Sequence, residues 1–519
     1  MAANQSASGP GRAGATGLLL TWDPDGPGPA HDRLAAALRG QVNDGRLRAG
    51  DRLPSTRALA EELGLSRWVI TEAYDQLKAE GYLTGRVGSG TVVAGPSGPS
   101  GPPRAPDAYA APDRATLPPT APPDPPGAAG ALDLSPALPD LSSFPRTAWR
   151  AALTRALATA TDAELGHPDP AGTPRLRVTT ADYLRRVRGL AVDPGQVHVT
   201  QGVRTAVALV CRALRPRGAR RIAVEDPSWP RLRDLARASG LDVVPVPVDE
   251  GGMLVDGLEA LDVDVVFVTP THQFPTGVPL SARRRLALLA WAGATPSGRS
   301  PRFVVEDDYD AEFRYDRRPV GALAARAPER VVYLGSTSKT LGPGLHLGWM
   351  VAPDALHDDL TTARDAVGGL PPTLDQLALV HLVTSGTYDR HLRRMRRLYQ
   401  QRRSALLAAL AAAGVAGRPA PSMDAGLHVL WLLPDGTAED AVLARAREHG
   451  LTLLGLGQCR VAAGAPGLVL GYGNVPAHRA GALAETLART LTRPAGTAGT
   501  AGTAGTAGTA AYPGGRDRP

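Results

Sequence analysis

Residues 95–130 read GPSGPSGPPRAPDAYAAPDRATLPPTAPPDPPGAAG, and no folded domain can run through them. Proline and glycine dominate, core-forming side chains are few, and such a stretch cannot bury enough apolar surface to offset the entropy of ordering it. Its prolines favour extended, semi-rigid backbone. The segment is expected to be an interdomain linker, so the 519 residues divide into a small module over 30–94 and a large one over 131–492. Residues 1–25 and the AGT-repeat tail over 493–519 read as disordered ends. The two cysteines, Cys211 and Cys459, make neither a disulfide framework nor a metal-ligand spacing, and no metal site is expected. No run of 18 apolar residues occurs and the N-terminus lacks a signal-like apolar core, so the expectation is a cytoplasmic protein with no membrane partner. The net charge of +7 permits a polyanionic partner without requiring one.

In the small module, Leu59 and Leu63 are i,i+4 neighbours on a short helix that Gly64 stops. Ser66 is a good N-cap for a second helix, on which Val69, Ile70, Ala73, Tyr74 and Leu77 share one apolar face and which Gly81 ends. A short strand, the turn GRVGSG and a second strand TVV follow. Two short helices with a tight glycine turn and a two-stranded wing describe a winged helix-turn-helix. The wording LPSTRALAEELGLSR, AYDQLKAEG and GSGTVV, across residues 31–94, resembles the DNA-binding domain of GntR-type regulators. The resemblance implies a double-stranded DNA operator, with Arg57, Ser66, Arg67 and Thr71 contacting DNA from the helices and Arg86 and Ser89 from the wing. Basic and acidic residues nearly balance in this module, so its charge alone does not identify a DNA binder. Trp68 is bulky beside the groove-facing Arg67, and nothing in the sequence accounts for it.

In the large module, QVHVT, RIAVED, DVVPVPV, DVVFVTP, RFVVEDD and RVVYLG are strand candidates, with helical stretches such as LSARRRLALLAWAGA between some of them. The alternation suits βαβ units and a mostly parallel sheet covered on both faces. In such sheets ligands collect beyond the carboxyl ends of the strands, where this sequence places carboxylates, a phenol and Lys339. Lys339 and Lys78 are the only lysines among 57 basic residues. A lysine kept in so arginine-rich a chain points to chemistry that guanidinium cannot do: nucleophilic attack by an amine and Schiff-base formation.

The stretches LGHPDPAGTPRLR, VTQGVRTAV, VEDPSWPR, VTPTHQFPTGVPLS, VEDDYDAEFRY and GSTSKTLGPGLHLGWM together resemble the fold-type I aminotransferases over about residues 132–490. Joined to the small module, they make the chain similar to MocR-type transcriptional regulators. The resemblance implies pyridoxal 5'-phosphate (PLP) as cofactor, with Lys339 its Schiff-base residue and the sole catalytic candidate. It implies that Asp307 pairs with the pyridine nitrogen, Tyr309 with the phenolic oxygen, and Trp229 stacks on the ring. The amides of Gly202, Val203 and Arg204, with the Ser336 hydroxyl, would hold the phosphate. Arg231 is the candidate for effector or substrate, and His272 and Gln273 act from behind the residues that touch the cofactor.

The chain departs from that pattern at three places. His346 stands where the family has a phosphate-clamping arginine. His167 replaces a tyrosine, and GLVLGYGN offers no arginine for a substrate α-carboxylate, leaving Arg231 or Arg460 to substitute. RHLRRMRRLYQQRR, with seven arginines from Arg390, is expected to be a solvated or intersubunit helix face. The leading expectation is a homodimeric regulator that senses PLP or an amino compound. The alternatives are an active aminotransferase with a DNA-binding head, and a regulator whose large domain no longer binds PLP and serves for dimerisation.

Overall fold

The computed structural model describes residues 29–43, 46–48, 50–80, 82–86, 90–94, 132–295, 300–315 and 321–492. The expected linker, both expected disordered ends, Gly81 and Ser89 lie outside these residues. Helices α1 (Ala30–Asn43), α2 (Thr56–Leu63) and α3 (Arg67–Ala79) build the head with strands β1 (Arg52–Leu53), β2 (Leu83–Arg86) and β3 (Gly90–Val93), which form an antiparallel sheet in the order β1-β3-β2. Gly64 closes α2 at φ +64°, a left-handed conformation that glycine adopts without a Cβ penalty. Ser66 caps α3 by accepting from the Val69 amide. Ile70, Ala73, Tyr74 and Leu77 are buried in the head's core with Leu34 and Leu38 of α1, while Val69, read onto the same face, is only half-buried at its edge.

After the linker, β4 (Leu132–Asp133) pairs in parallel with Leu451–Thr452. The main sheet comprises β5 (Val197–Thr200), β6 (Arg221–Asp226), β7 (Asp242–Asp249), β8 (Gly252–Met253), β9 (Val265–Val268), β10 (Phe303–Asp307), β11 (Val331–Ser336) and β12 (Gly348–Val351), in the order β5-β12-β11-β10-β9-β6-β7-β8. The pairs from β7 through β6, β9 and β10 to β11 are parallel, and β12 runs antiparallel between β11 and β5. The centre of this sheet is buried on both faces, as its unbroken Val, Phe and Leu runs require. A smaller antiparallel sheet, built from Arg418–Pro419, His428–Leu432, Gly467–Gly471 and Leu454–Gly455, belongs to the C-terminal part.

The six expected strands are present, while β12 and the smaller sheet were not anticipated. The arginine-rich stretch lies on the helix Thr387–Ala412, but its face is not simply solvated. Arg402 is buried between Asp140 and the carbonyl of Gly473, and Arg396 donates to the carbonyl of Glu312. Those arginines bind the helix to its own domain.

Candidate functional site

The head presents α3 to solvent by its N-terminal turn. Arg67 is exposed and its Nε lies 3.4 Å from the hydroxyl of Thr56; Thr71 donates its hydroxyl to the Arg67 carbonyl. Arg57 is exposed on α2 and paired with Glu61 at 3.1 Å. Arg86 ends β2 in register with Gly90. Arg57, Ser66, Arg67 and Thr71 are thus gathered where α2 meets α3, the arrangement in which a helix-turn-helix offers its second helix to the major groove.

The body's candidate site residues lie along one rim of the main sheet, where β5, β6, β9, β10 and β11 end. Register fixes its geometry. Ser336 stands opposite Gly348, and Gly348 opposite Thr200, so one row of three adjacent strands underlies the start of the helix Val203–Leu214. Gly202 caps that helix at φ +84° and no side chain caps it, leaving the first-turn amides available to an anion. A Cβ on Gly348 would come within 2.7 Å of the Gly202 Cα, so this approach of backbone to backbone requires glycine at 348. Ser336 is buried beside it.

One strand further on, Asp307 ends β10. It is buried, and its Oδ1 has no hydrogen-bond partner among the described residues. Burial, then the neighbouring Asp308 carboxylate, pushes its pKa up to about 8, against the pull of Lys339. Asp308 itself is held elsewhere, by Arg188 at 2.6 Å and by the hydroxyls of Tyr333 and Thr271, so Asp307 alone of the two is unsatisfied. An acid kept dry and unpaired is costly to the fold and fits a ligand that brings its own hydrogen-bonding cation. Lys339 lies in the turn after β11, which is pinned by the Thr337 amide donating to the Leu347 carbonyl. Burial lowers the Lys339 pKa, partly opposed by Asp307 and Asp310, and a depressed pKa favours the nucleophilic amine.

Tyr309 is buried, with its hydroxyl 3.0 Å from Nδ1 of His272, which is 2.8 Å from Asp310. Trp229 caps the helix Pro230–Ala238 and packs with Tyr309 and Phe274. Gln273 donates to Glu225 and to the carbonyls of Pro227 and Phe274, which orders the loops below Trp229. Arg231 is half-buried on the same helix as Trp229, and Arg204 is exposed on the first turn after Gly202.

Three positions bear on the departures. His346 adopts a left-handed backbone, φ +48°, and is exposed in the turn two residues before Gly348. His167 is exposed. Arg460 donates to the Ala465 carbonyl of its own loop, and Gly467–Gly471 is a buried strand without an arginine. Asp310, Gly348 and His428 escaped the sequence reading. His428 is buried 5.2 Å from the His272 ring and 5.1 Å from Phe274, its pKa lowered first by burial. A histidine at the start of the apolar strand HVLWL gives no signal in sequence that it meets His272.

A winged-helix head joined to a body with this sheet order and rim defines a DNA-binding regulator whose second domain is built like a PLP-dependent enzyme. The model for bacterial regulatory proteins of the gntR family matches residues 30–93, and that for aminotransferase class I and II matches 135–465. The HTH-type pyridoxine biosynthesis transcriptional regulator PdxR of Corynebacterium glutamicum is 35% identical over 458 residues, covering 88% of this chain and 95% of PdxR. The probable rhizopine catabolism regulatory protein MocR of Rhizobium meliloti is 34% identical, covering 75% and 79%. Among solved structures, the α-aminoadipate aminotransferase LysN of Thermus thermophilus, complexed with N-(5'-phosphopyridoxyl)-L-leucine, superposes with a TM-score of 0.62 at 26% identity, over 70% of this chain and 92% of LysN. The chain belongs to the MocR-type transcriptional regulators, GntR-type heads fused to aminotransferase-like domains.

Proposed function

We propose that this regulator binds PLP through a Schiff base to Lys339 and responds to PLP itself, or to an amino compound that reacts with it. The observation that carries the reading is the pair of groups facing one rim: Asp307, buried with an unpartnered oxygen, and Lys339, its amine depressed by burial. When bound, PLP supplies an electrophilic carbonyl carbon and an electron-withdrawing ring. The chain's own residues do the rest. Asp307 would hold a proton on the ring nitrogen, and that cation would in turn let Asp307 ionise. Tyr309, backed by His272 and Asp310, would donate to the ring's phenolic oxygen. Trp229 would cover one face of the ring and exclude water from it. The amides of Gly202, Val203 and Arg204, the Ser336 hydroxyl and His346 would receive the phosphate.

The effector reading favours PLP over an amino acid. Arg460 donates to the Ala465 carbonyl of its own loop and β-strand Gly467–Gly471 carries no arginine, which leaves Arg231 the better placed of the two candidates for a substrate carboxylate. The lack of an arginine on that strand favours regulation over turnover. The protein would act as a homodimer in the cytoplasm, with two heads on paired half-sites of a double-stranded operator.

Visible absorbance tests the proposal. Purified protein incubated with PLP is expected to gain a band that Lys339→Ala abolishes, with little transamination of amino donors. A protein that stays colourless in excess PLP leaves the large domain as a dimerisation scaffold; brisk turnover makes it an aminotransferase.

A further inference from the structure

The head carries one large apolar side chain that its fold does not use. Trp68 is 62% exposed at the second position of α3, and no other large apolar residue described in the head is so open. At about 100° per residue, Trp68 lies on the side of α3 shared by Arg67 and Thr71 and away from Ile70, Ala73 and Leu77, which are buried. The His31 ring of α1 meets the indole edge-to-face, with centroids 5.3 Å apart, so the side chain is steadied by the head. Glu72 and Asp75 share that side one and two turns on, Asp75 paired with Lys78 at 3.2 Å, which confines an anionic partner to the first turn.

We propose that Trp68 is an apolar base contact of the head, its indole packing on the C5-methyl group of a thymine in the major groove. The inference rests on DNA binding by the head and adds a residue that reads sequence. Charge complementarity selects the occupant. Trp68 is flanked by the exposed Arg67 and by the N-terminal amides of α3, all of which suit phosphate, and a protein seated there would displace DNA. Arginine and threonine supply polar contacts to base edges. The thymine methyl is the one apolar group the major groove displays, and an aromatic face is a fitting partner for it.

The test starts from duplexes enriched out of a random pool by the full-length wild-type protein. Each thymine of the best duplex is replaced in turn by deoxyuridine, which lacks only the methyl group. Wild type is expected to lose affinity several-fold at one position per half-site. Trp68→Ala should bind the thymine duplex about tenfold more weakly, be indifferent to deoxyuridine there, and keep the wild-type salt dependence. Arg67→Ala should instead flatten the salt dependence. Because Trp68 is exposed, Trp68→Ala leaves the core intact, and Trp68→Phe should retain most of the affinity. The proposal is overturned if Trp68→Ala binds like wild type, or if it weakens binding yet responds to deoxyuridine as wild type does. A pool from which wild type enriches no duplex refutes DNA binding itself, and this contact with it.

Discussion

Asp307 is a destabilising residue in the ligand-free protein, and that is measurable. Its folded pKa is raised, from 3.8 to about 8, so the folded chain binds this proton more tightly than the unfolded chain does. Its contribution to stability is therefore complete below pH ~4 and is lost as pH rises toward about 8. Glu225, Glu306 and Glu312, each pushed up to about 7 first by burial, act in the same direction. The ligand-free protein should melt lower at pH 8 than at pH 5. Asp307→Asn should shrink that difference, raise the melting temperature at pH 8 by a few degrees, and weaken PLP uptake. Each unit of pKa shift corresponds to about 1.4 kcal/mol, so an effect of a few kcal/mol is the expected scale. A melting profile of Asp307→Asn that parallels wild type would contradict the assignment. His346 supports a second measurement. On the proposed placement of the phosphate, an arginine there would supply a bidentate, charge-assisted contact worth roughly 1.5–3 kcal/mol, so His346→Arg should tighten PLP binding about tenfold to a hundredfold in a fluorescence titration. Lys339 stands out in the sequence because it is one of two lysines among 57 basic residues. His428 and Asp310 do not, since their roles come from three-dimensional neighbours on separate elements.

At the scale of elements, the strands read from the sequence were those with β-branched runs: β6, β7, β9, β10 and β11, with β5 through VHVT. β12 is GWMV, antiparallel and short, with neither alternation nor a β-branched run to mark it. Its register nonetheless builds the rim proposed to receive the phosphate, because it sets Gly348 between Ser336 and Thr200. Gly348→Ala would drive a Cβ to 2.7 Å from the Gly202 Cα and 3.0 Å from the Gly335 carbonyl oxygen, both backbone atoms that cannot swing aside. The expected outcome is a loss of stability of about 1–3 kcal/mol in denaturant unfolding, together with loss of PLP binding. Gly202→Ala should act differently. No atom lies within 4 Å of its added Cβ, so the strain is in the φ of +84° alone. Gly202→Ala should cost less stability than Gly348→Ala.

For the whole molecule, the described residues bring the two modules together around Glu80 and Tyr82. The Arg326 guanidinium lies over the Tyr82 ring, 4.0 Å from its centroid, and its Nη1 donates to the Glu80 carbonyl at the end of α3. Glu80 is itself gripped by Arg39 of α1 at 2.8 Å. On the body side, the backbone amides of Leu323 and Ala324 donate to Glu306, and Glu306 is the neighbour of Asp307 in β10. Glu306 and Asp307 point to opposite faces of β10, but the Asp308 carboxylate raises the pKa of both, so a change in the charge of Asp307 on the proposed binding of PLP would reach Glu306 by way of Asp308. From Glu306's partner Ala324, the chain reaches the head contact at Arg326 through the single residue Ala325. Coupling by this route has a thermodynamic signature: PLP changes DNA affinity by the same factor by which DNA changes PLP affinity. Arg326→Ala removes the cation–π contact and the hydrogen bond to α3 while leaving every cofactor candidate in place. It should therefore bind PLP as wild type does, bind DNA in the absence of PLP, and bring the ratio of DNA affinities with and without PLP close to one. Arg326→Lys, which keeps the cation but loses the planar fork, should fall between. An unchanged ratio in Arg326→Ala would show that PLP reaches the heads by another path, such as a change in how two subunits are arranged.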